Sequence, residues 1–524
     1  MKKTTLRVSI LCPLFASAFL SPCSQIHAQE PVPIGPQFQV NEATSLFQGN
    51  PVVAARDDGS FIVVWESDAD DAGDLFHRIF DSAGMPLGAE TLVNSYTTGE
   101  QSHREHAVAA LPDRSFVIVW DSQNLMDTNV YGRRFFADGM ANGAQFQVNA
   151  LGTGYQFYPS VAAAADGGFA VVWSSAISTG SDSDGRSIQM RRWDSEGAPI
   201  ASEFQVNTYT TFGQSYPAIA SSGLGDFVVV WVSEGSPGDD TDDTSIQARR
   251  FLQDGSPIGD QFQVNSFTPE SADTTRIAIG ADGAFVVTWR AYESPGDDAS
   301  ESSTQARRFA PDATPIGDQF QVNSFTPGNN DDAAPIFDPA GGFFVVWESE
   351  PEQLMGMASP DGSGNSVQGR RFLGDGTPVG QELTINQFTD GNQDDPVLAI
   401  VGLERAVVVF ESAGSTGGDT SGDSVQARLI DICPGPNDGM DADGDLIADD
   451  CDACQGVNST GDSDNDGVCN DLDLCSGDDA TGDGDNDGLC ADRDCNDADP
   501  LNRCAIFADD FESGGVTNWS SSVG

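Results

Sequence analysis

Apolar and polar positions alternate in short runs along most of this chain, and helical periodicity is absent. Between residues 276 and 322 the runs 276–280, 284–290, 304–309 and 316–322 are rich in β-branched and aromatic residues. Turn-forming pairs such as Asp282-Gly283 and Asp254-Gly255 punctuate this unit and the one before it. Such spacing predicts four short strands per unit joined by tight turns.

The units repeat as words. The stretch GDQFQVNSFTP at 259–269 returns almost unchanged at 317–327. The FQVN word, with variations, ends at Asn41, Asn94, Asn149, Asn207, Asn265, Asn323 and Asn386. A VVVW word ends at Trp65, Trp120, Trp173, Trp231, Trp289, Trp347 and, degraded, Phe410. A QARRF word places its first arginine at Arg78, Arg133, Arg191, Arg249, Arg307, Arg370 and Arg428. Four strands at a period near 55 fit the blade of a β-propeller, whereas a solenoid rung needs a shorter period.

The two ends complement each other. The first word of the repeat region is a fourth strand with no first three, at 38–41; the last, at 426–430, is a third strand with no fourth. Joining them makes one whole blade and removes two exposed sheet edges. The expected fold is therefore all-β: a seven-bladed propeller over 29–432, closed by a blade shared between the N- and C-terminal parts of that span. Strand alternation then puts the repeated Asp-Gly turns on one face. The long, acidic, variable loops, such as SEGSPGDDTDDTS and ESEPEQLMGMASPDGSGNS, fall on the other, which is the expected binding face.

The unit FQVN, P-x-VA, DGxFVVVWxS, QARRF, DGxPIG resembles a tandem repeat of secreted bacterial proteins that often stands beside calcium-binding modules. The resemblance covers about 37–430 and implies a scaffold without implying an activity. DGxFVVVW lacks the S-x-D-x-G-x-x-W spacing of a sialidase Asp-box.

Charge and cysteine usage change the picture at the two ends. The formal net charge is −57, and beyond Arg7 only 21 arginines face 81 acidic residues. Such a surface repels phosphate backbones and anionic lipid, which speaks against nucleic-acid and membrane partners. Residues 1–28, with Lys2, Lys3 and Arg7 before an apolar run and Ala28 at its end, read as an export signal, so the expected location is outside the cell or at its surface. Leu20-Ser21-Pro22-Cys23 offers a lipid anchor at Cys23 as the lesser alternative. No later stretch approaches the ~20 apolar residues of a membrane helix.

Eight of the ten cysteines lie between Cys433 and Cys504, in a segment with 21 aspartates, two arginines and no glutamate. Asp462, Asp464 and Asp466, then Gly467 and Asp473, have the spacing of a calcium loop, with the Val468 carbonyl at its seventh position. Asp483, Asp485 and Asp487, then Gly488 and Asp494, repeat it with the Leu489 carbonyl. Asp441, Asp443 and Asp445 form a third window with Leu446 in place of the glycine. Segment 433–504 resembles the thrombospondin type 3 repeat, which implies Ca2+ and disulfides in place of an apolar core. Sequential pairing, Cys433–Cys451, Cys454–Cys469, Cys475–Cys490 and Cys495–Cys504, is one of 105 connectivities. The tail 505–524 has no assigned role.

Candidate chemistry within the repeats is sparse. The first arginine of QARRF recurs in all seven units, as scaffold does, and its expected partners are the acids after the tryptophan, such as Glu66, Asp121 or Glu348. His103-Arg-Glu105-His106 reads as part of a blade-to-blade link and could offer zinc ligands, though a surface loop is the default. No nucleophile elbow, metalloprotease, phosphate-loop or dinucleotide motif is present, so the sequence names no catalytic residue. Three functions remain. One is a calcium-binding adhesion or ligand-binding protein for an extracellular glycan or surface protein; the alternatives are a glycan-cleaving enzyme on a propeller and an architectural envelope component. An enzyme should break the seven-fold pattern with convergent polar residues in particular blades; a repeat binder should vary only its loops.

Overall fold

The computed structural model describes residues 31–432 apart from 46, 69–72, 97–99, 124–126, 153, 224, 237–243, 269–270, 293–295, 297, 299–301, 339–340, 352–358, 403–404, 416–418, 420–421 and the side chains of 100 and 102–105. Seven four-stranded antiparallel sheets follow one another along the chain. Each innermost strand packs beside the next, and that of the seventh sheet, Gln393–Ile400, packs beside that of the first, Gln48–Ala55. The ring is thus a seven-bladed propeller. Its last blade runs Gln393–Ile400, Arg405–Ser412, Ser424–Asp431 and, outermost, Val32–Gln39 from the start of the repeats. The shared-blade closure read from the sequence is the observed one.

Blade 5 comprises Ala272–Ile279, Phe285–Ala291, Ser303–Phe309 and Pro315–Gln321. Three of these match the sequence reading to within a residue or so. The innermost strand begins four residues earlier than expected, because Ala-Asp-Thr-Thr has no apolar alternation to show it.

The repeated words are joints of the scaffold. In all seven blades the asparagine of FQVN accepts, through Oδ1, the N–H of a third-strand residue, as Asn265 does from Ile246 at 3.0 Å. Its Nδ2 donates to a carbonyl two residues on, so one side chain fixes a strand and the link that leaves it. The phenylalanine of DGxF stacks on that of QARRF, with Phe285 and Phe309 centred 4.9 Å apart and 10° from parallel. Valines and tryptophans of the second strands fill the seams between blades at or near zero exposure.

The first arginine of QARRF is structural, but its partner is not the acid after the tryptophan. Arg249 Nη1 donates to the Val206 carbonyl of the preceding blade at 2.8 Å, and Arg78 reaches the Val40 carbonyl across the closure at 2.9 Å. Its guanidinium also lies over the ring two residues on, 5.5 Å from that of Phe251. Register explains the correction. Arg78 faces Val63 across the ladder, three residues from Glu66, which places arginine and acid on opposite faces of the blade and about 10 Å apart along it.

Some of the acidity in the variable loops is scaffold too. Asp182, Asp298 and Asp361 each accept from the nearby FQVN asparagine at 2.7 Å.

One joint is missing. The tryptophans of blades 1 to 4 donate Nε1 to a glutamine of the innermost strand, as Trp173 does to Gln156 at 2.8 Å. Blade 6 has Asn330 there, one methylene shorter, and both Trp347 Nε1 and Asn330 Oδ1 are buried without a partner. Leaving such a group unpaired costs about 1–3 kcal/mol. Asn330→Gln is therefore expected to raise the thermal midpoint by several degrees, measurable by calorimetry beside Gln156→Asn, which should lower it.

Candidate active site at the propeller axis

A bulge interrupts the innermost strands, with register slips at Gly49/Val52, Phe157/Ser160, Ser215/Ala218, Asp273/Arg276, Asp331/Ala334 and Asp394/Val397. In six blades the residue at the bulge has φ between +46° and +54°: Asn50, Tyr158, Tyr216, Thr274, Asp332 and Asp395. None is glycine, and side chains adopt this conformation only under constraint. A bulge turns a side chain out of the regular alternation. Here Asn50, Tyr158, Tyr216, Asp332 and Asp395 turn toward the axis, where they line a cavity of about 200 Å³ to which all seven blades contribute. The bulge residues Asn50, Tyr158, Tyr216, Asp332 and Asp395 each stand third in their innermost strand, near the end entered from a blade-to-blade link. The cavity therefore sits toward the face of the variable loops.

The wall has two unlike sides. Blades 6 and 7 supply carboxyls. Asp332 and Asp395 line the cavity, and Glu348, the residue after Trp347, stands with them; one oxygen of each lies within 4.8 Å of the other two. Asn365 Nδ2 gathers the group from behind, donating to Glu348 Oε1 at 2.7 Å and Asp394 Oδ1 at 2.9 Å. Glu411, the residue after Phe410, accepts the Asn50 N–H at 3.1 Å. Arg290 closes one flank, bridging Asp273 at 2.7 Å and Asp331 at 3.1 Å.

So many buried acids resist ionisation together. Burial, then the charge of Asp395, pushes Asp332 up to about 6. Burial, then Asp394, lifts Glu348 well above the carboxylate range. Glu411 rises to about 8 for the same reasons, burial first and Asp395 second. The site thus holds at least one proton at neutral pH beside an aspartate, as acid–base work requires. The three close oxygens of Asp332, Glu348 and Asp395 are also a donor set suited to a hard cation.

Blades 3 and 4 supply aromatic rings. Tyr158 and Tyr216 occupy equivalent bulge positions, with ring centroids 4.2 Å apart and hydroxyls 3.2 Å apart. Phe157 and Tyr155 extend the contact outward from Tyr158.

His106 is not in a blade-to-blade link. Glu100–Ala110 is the innermost strand of blade 2, and His106 lies opposite Trp120, buried and against the axial cavity. Burial holds its imidazole down to about 4, hence neutral at ordinary pH. The side chains of His103 and Glu105 lie outside the described residues, as do the calcium-loop residues from Asp441 to Asp494, the cysteines from Cys433 onward, residues 1–28 and the tail.

The carboxyl cluster carries a stability cost with a definite sign. The pKa of Glu411 is raised on folding, so its contribution favours the fold below pH 4.5 and is lost as pH rises through about 8. Glu411→Gln is therefore expected to unfold at higher temperature than the parent at pH 9, with the gap closing near pH 4; melts across that range check it.

No protein-family model matches this chain, and no curated protein does. Among solved structures, it is similar to an ulvan lyase of polysaccharide lyase family 25, at 9% identity and a TM-score of 0.46, covering 78% of this chain and 95% of that one. An α-L-arabinanase of Penicillium chrysogenum follows at 11% identity and 0.43, covering 75% and 97%. The sialidase Hz136 shares 12% identity at 0.39, covering 69% and 74%. Likeness at this level carries no functional argument; the site has to be read from its own residues.

Proposed function

We propose that the chain is a glycan-cleaving enzyme whose reaction takes place in the axial cavity. The observation that carries this reading is the break in the seven-fold pattern. Blades 6 and 7 alone bring Asp332, Glu348 and Asp395 within 4.8 Å of one another among the described residues. Asp332, pushed up to about 6, serves as the acid, and Asp395 as the partner beside it. The glycosidic C–O bond breaks as the Asp332 proton passes to the departing oxygen and the Asp395 carboxylate bonds to the anomeric carbon. Water, deprotonated by Asp332, then releases the sugar. The closeness of the carboxyls favours direct attack over a water held between them, which needs about 6.5–9.5 Å. Retention of anomeric configuration follows. Glu348, held by Asn365, keeps the pair in place.

The test is incubation of the mature protein with arabinan, xylan, galactan and β-glucan, with assay of released sugar and of retention on the polymer. Release that is lost in Asp332→Asn supports the reading. Retention without release returns the protein to the adhesin class.

Segment 433–504 enters this proposal as a Ca2+-binding extension of an exported enzyme. Replacing Asp464 and Asp466 by Ala is expected to lower the calcium stoichiometry of the full chain in equilibrium dialysis, and unchanged stoichiometry would reject that loop as a site.

A further inference from the structure

From the shape of the cavity and its aromatic side, we infer that the enzyme attacks chain ends, seating one terminal, uncharged sugar ring against Tyr158 and Tyr216. This rests on the catalytic reading above and adds the substrate class and the residues that select it.

The cavity is lined by the innermost strands of all seven blades, so it is a well and not a groove. A polymer can cross a groove, but only an end can enter a well. The volume of about 200 Å³ falls below the range of about 300–1,000 Å³ typical of pockets for drug-sized ligands and suits a single ring. The carboxyls occupy one side and the tyrosines the other, so a ring lying against Tyr216 presents its linkage to the acids. The face of an aromatic ring is electronegative and attracts the weakly positive C–H face of a sugar.

The platform is rigid. Tyr158 is 7% exposed, and its contact with Tyr216 is backed by Phe157, which stacks on Tyr155 at 5.5 Å and 8°. Tyr216 keeps 38% of its surface exposed, at the position where a ring can lie. Charge sets the rest of the selectivity. Asp332 and Asp395 repel a uronate or sulfated ring, and Arg276 is the one cationic residue among the described lining groups, His106 being neutral.

Two measurements test this. The first is titration of methyl glycosides of arabinose, xylose, galactose, glucose and glucuronate, followed by ligand-observed NMR, into the parent, Tyr216→Ala and the scaffold variant Asn330→Gln. Binding of a neutral glycoside that falls at least tenfold in Tyr216→Ala, is kept in Asn330→Gln and is absent for glucuronate supports the platform. Equal binding by the parent and Tyr216→Ala, or preference for the uronate, overturns it. The second compares viscosity loss with released ends on the polymer that is cleaved. Monosaccharide release with little loss of viscosity supports attack at chain ends; a rapid drop with mixed oligomers overturns that inference while leaving the catalytic reading intact. Absence of cleavage with Tyr216-dependent glycoside binding sinks the catalytic reading and leaves the platform standing.

Discussion

Asp332→Asn is expected to lower turnover of an unactivated glycan by about 10²- to 10⁴-fold, the usual contribution of a placed proton donor. The loss should shrink sharply on a nitrophenyl glycoside, whose leaving group departs without a proton. A merely structural aspartate would depress both substrates alike. The parent should lose activity as pH rises through about 6, where Asp332 gives up its proton, and that alkaline limb should vanish from the residual activity of the variant. Amide for carboxyl is nearly isosteric, and removing an acid from a crowded cluster relieves repulsion, so the variant should melt no lower than the parent at pH 7. Turnover on both substrates, pH profiles and a melt together check the expectation.

Deleting residues 29–41 is expected to lower the thermal midpoint by on the order of 10 °C or more and to promote aggregation. The strand Val32–Gln39 covers Ser424–Asp431, and without it that strand becomes an open edge, free to pair with another chain. The loss extends past the ladder. Asn41 Oδ1 accepts the Val425 N–H at 3.0 Å, Gln37 Oε1 accepts the Gln387 and Phe388 N–H groups, and the Val40 carbonyl holds Arg78 of the first blade. Asn41→Ala removes one joint and should cost about 1–3 kcal/mol, which sets the scale against which the deletion is read. A deletion variant with an unaltered melt would mean that the ring holds without its clasp.

The scaffold was legible because it is written seven times. Words at a regular spacing fixed the blade, and the unmatched strands at 38–41 and 426–430 fixed the closure. The site was not legible for the opposite reason. Most of its residues stand at the bulges, where Asn50, Tyr158, Tyr216, Thr274, Asp332 and Asp395 share a backbone shape while their side chains are of four kinds. A bulge also hides its strand by breaking the alternation that announces one, as at Ala272–Thr275. Glu348 was visible as an acid after a tryptophan, yet it was read as a partner of the repeated arginine; which face of the blade it occupied decided the matter. His106 was misplaced because the innermost strand of blade 2 begins six residues before it, in a polar run.

The bulges separate two demands that most binding sites must reconcile. Residues that hold the blades together lie in the ladders and seams; those that line the axial cavity from the bulges stand on backbone excursions between slipped pairs. An exchange at Asn50, Tyr158 or Asp395 leaves the Val-Trp seams and the Arg-to-carbonyl clasps untouched. The axial ring is in effect a socket with exchangeable pins, so altered sugar preference should be reachable by single replacements there without rebuilding the body that carries them.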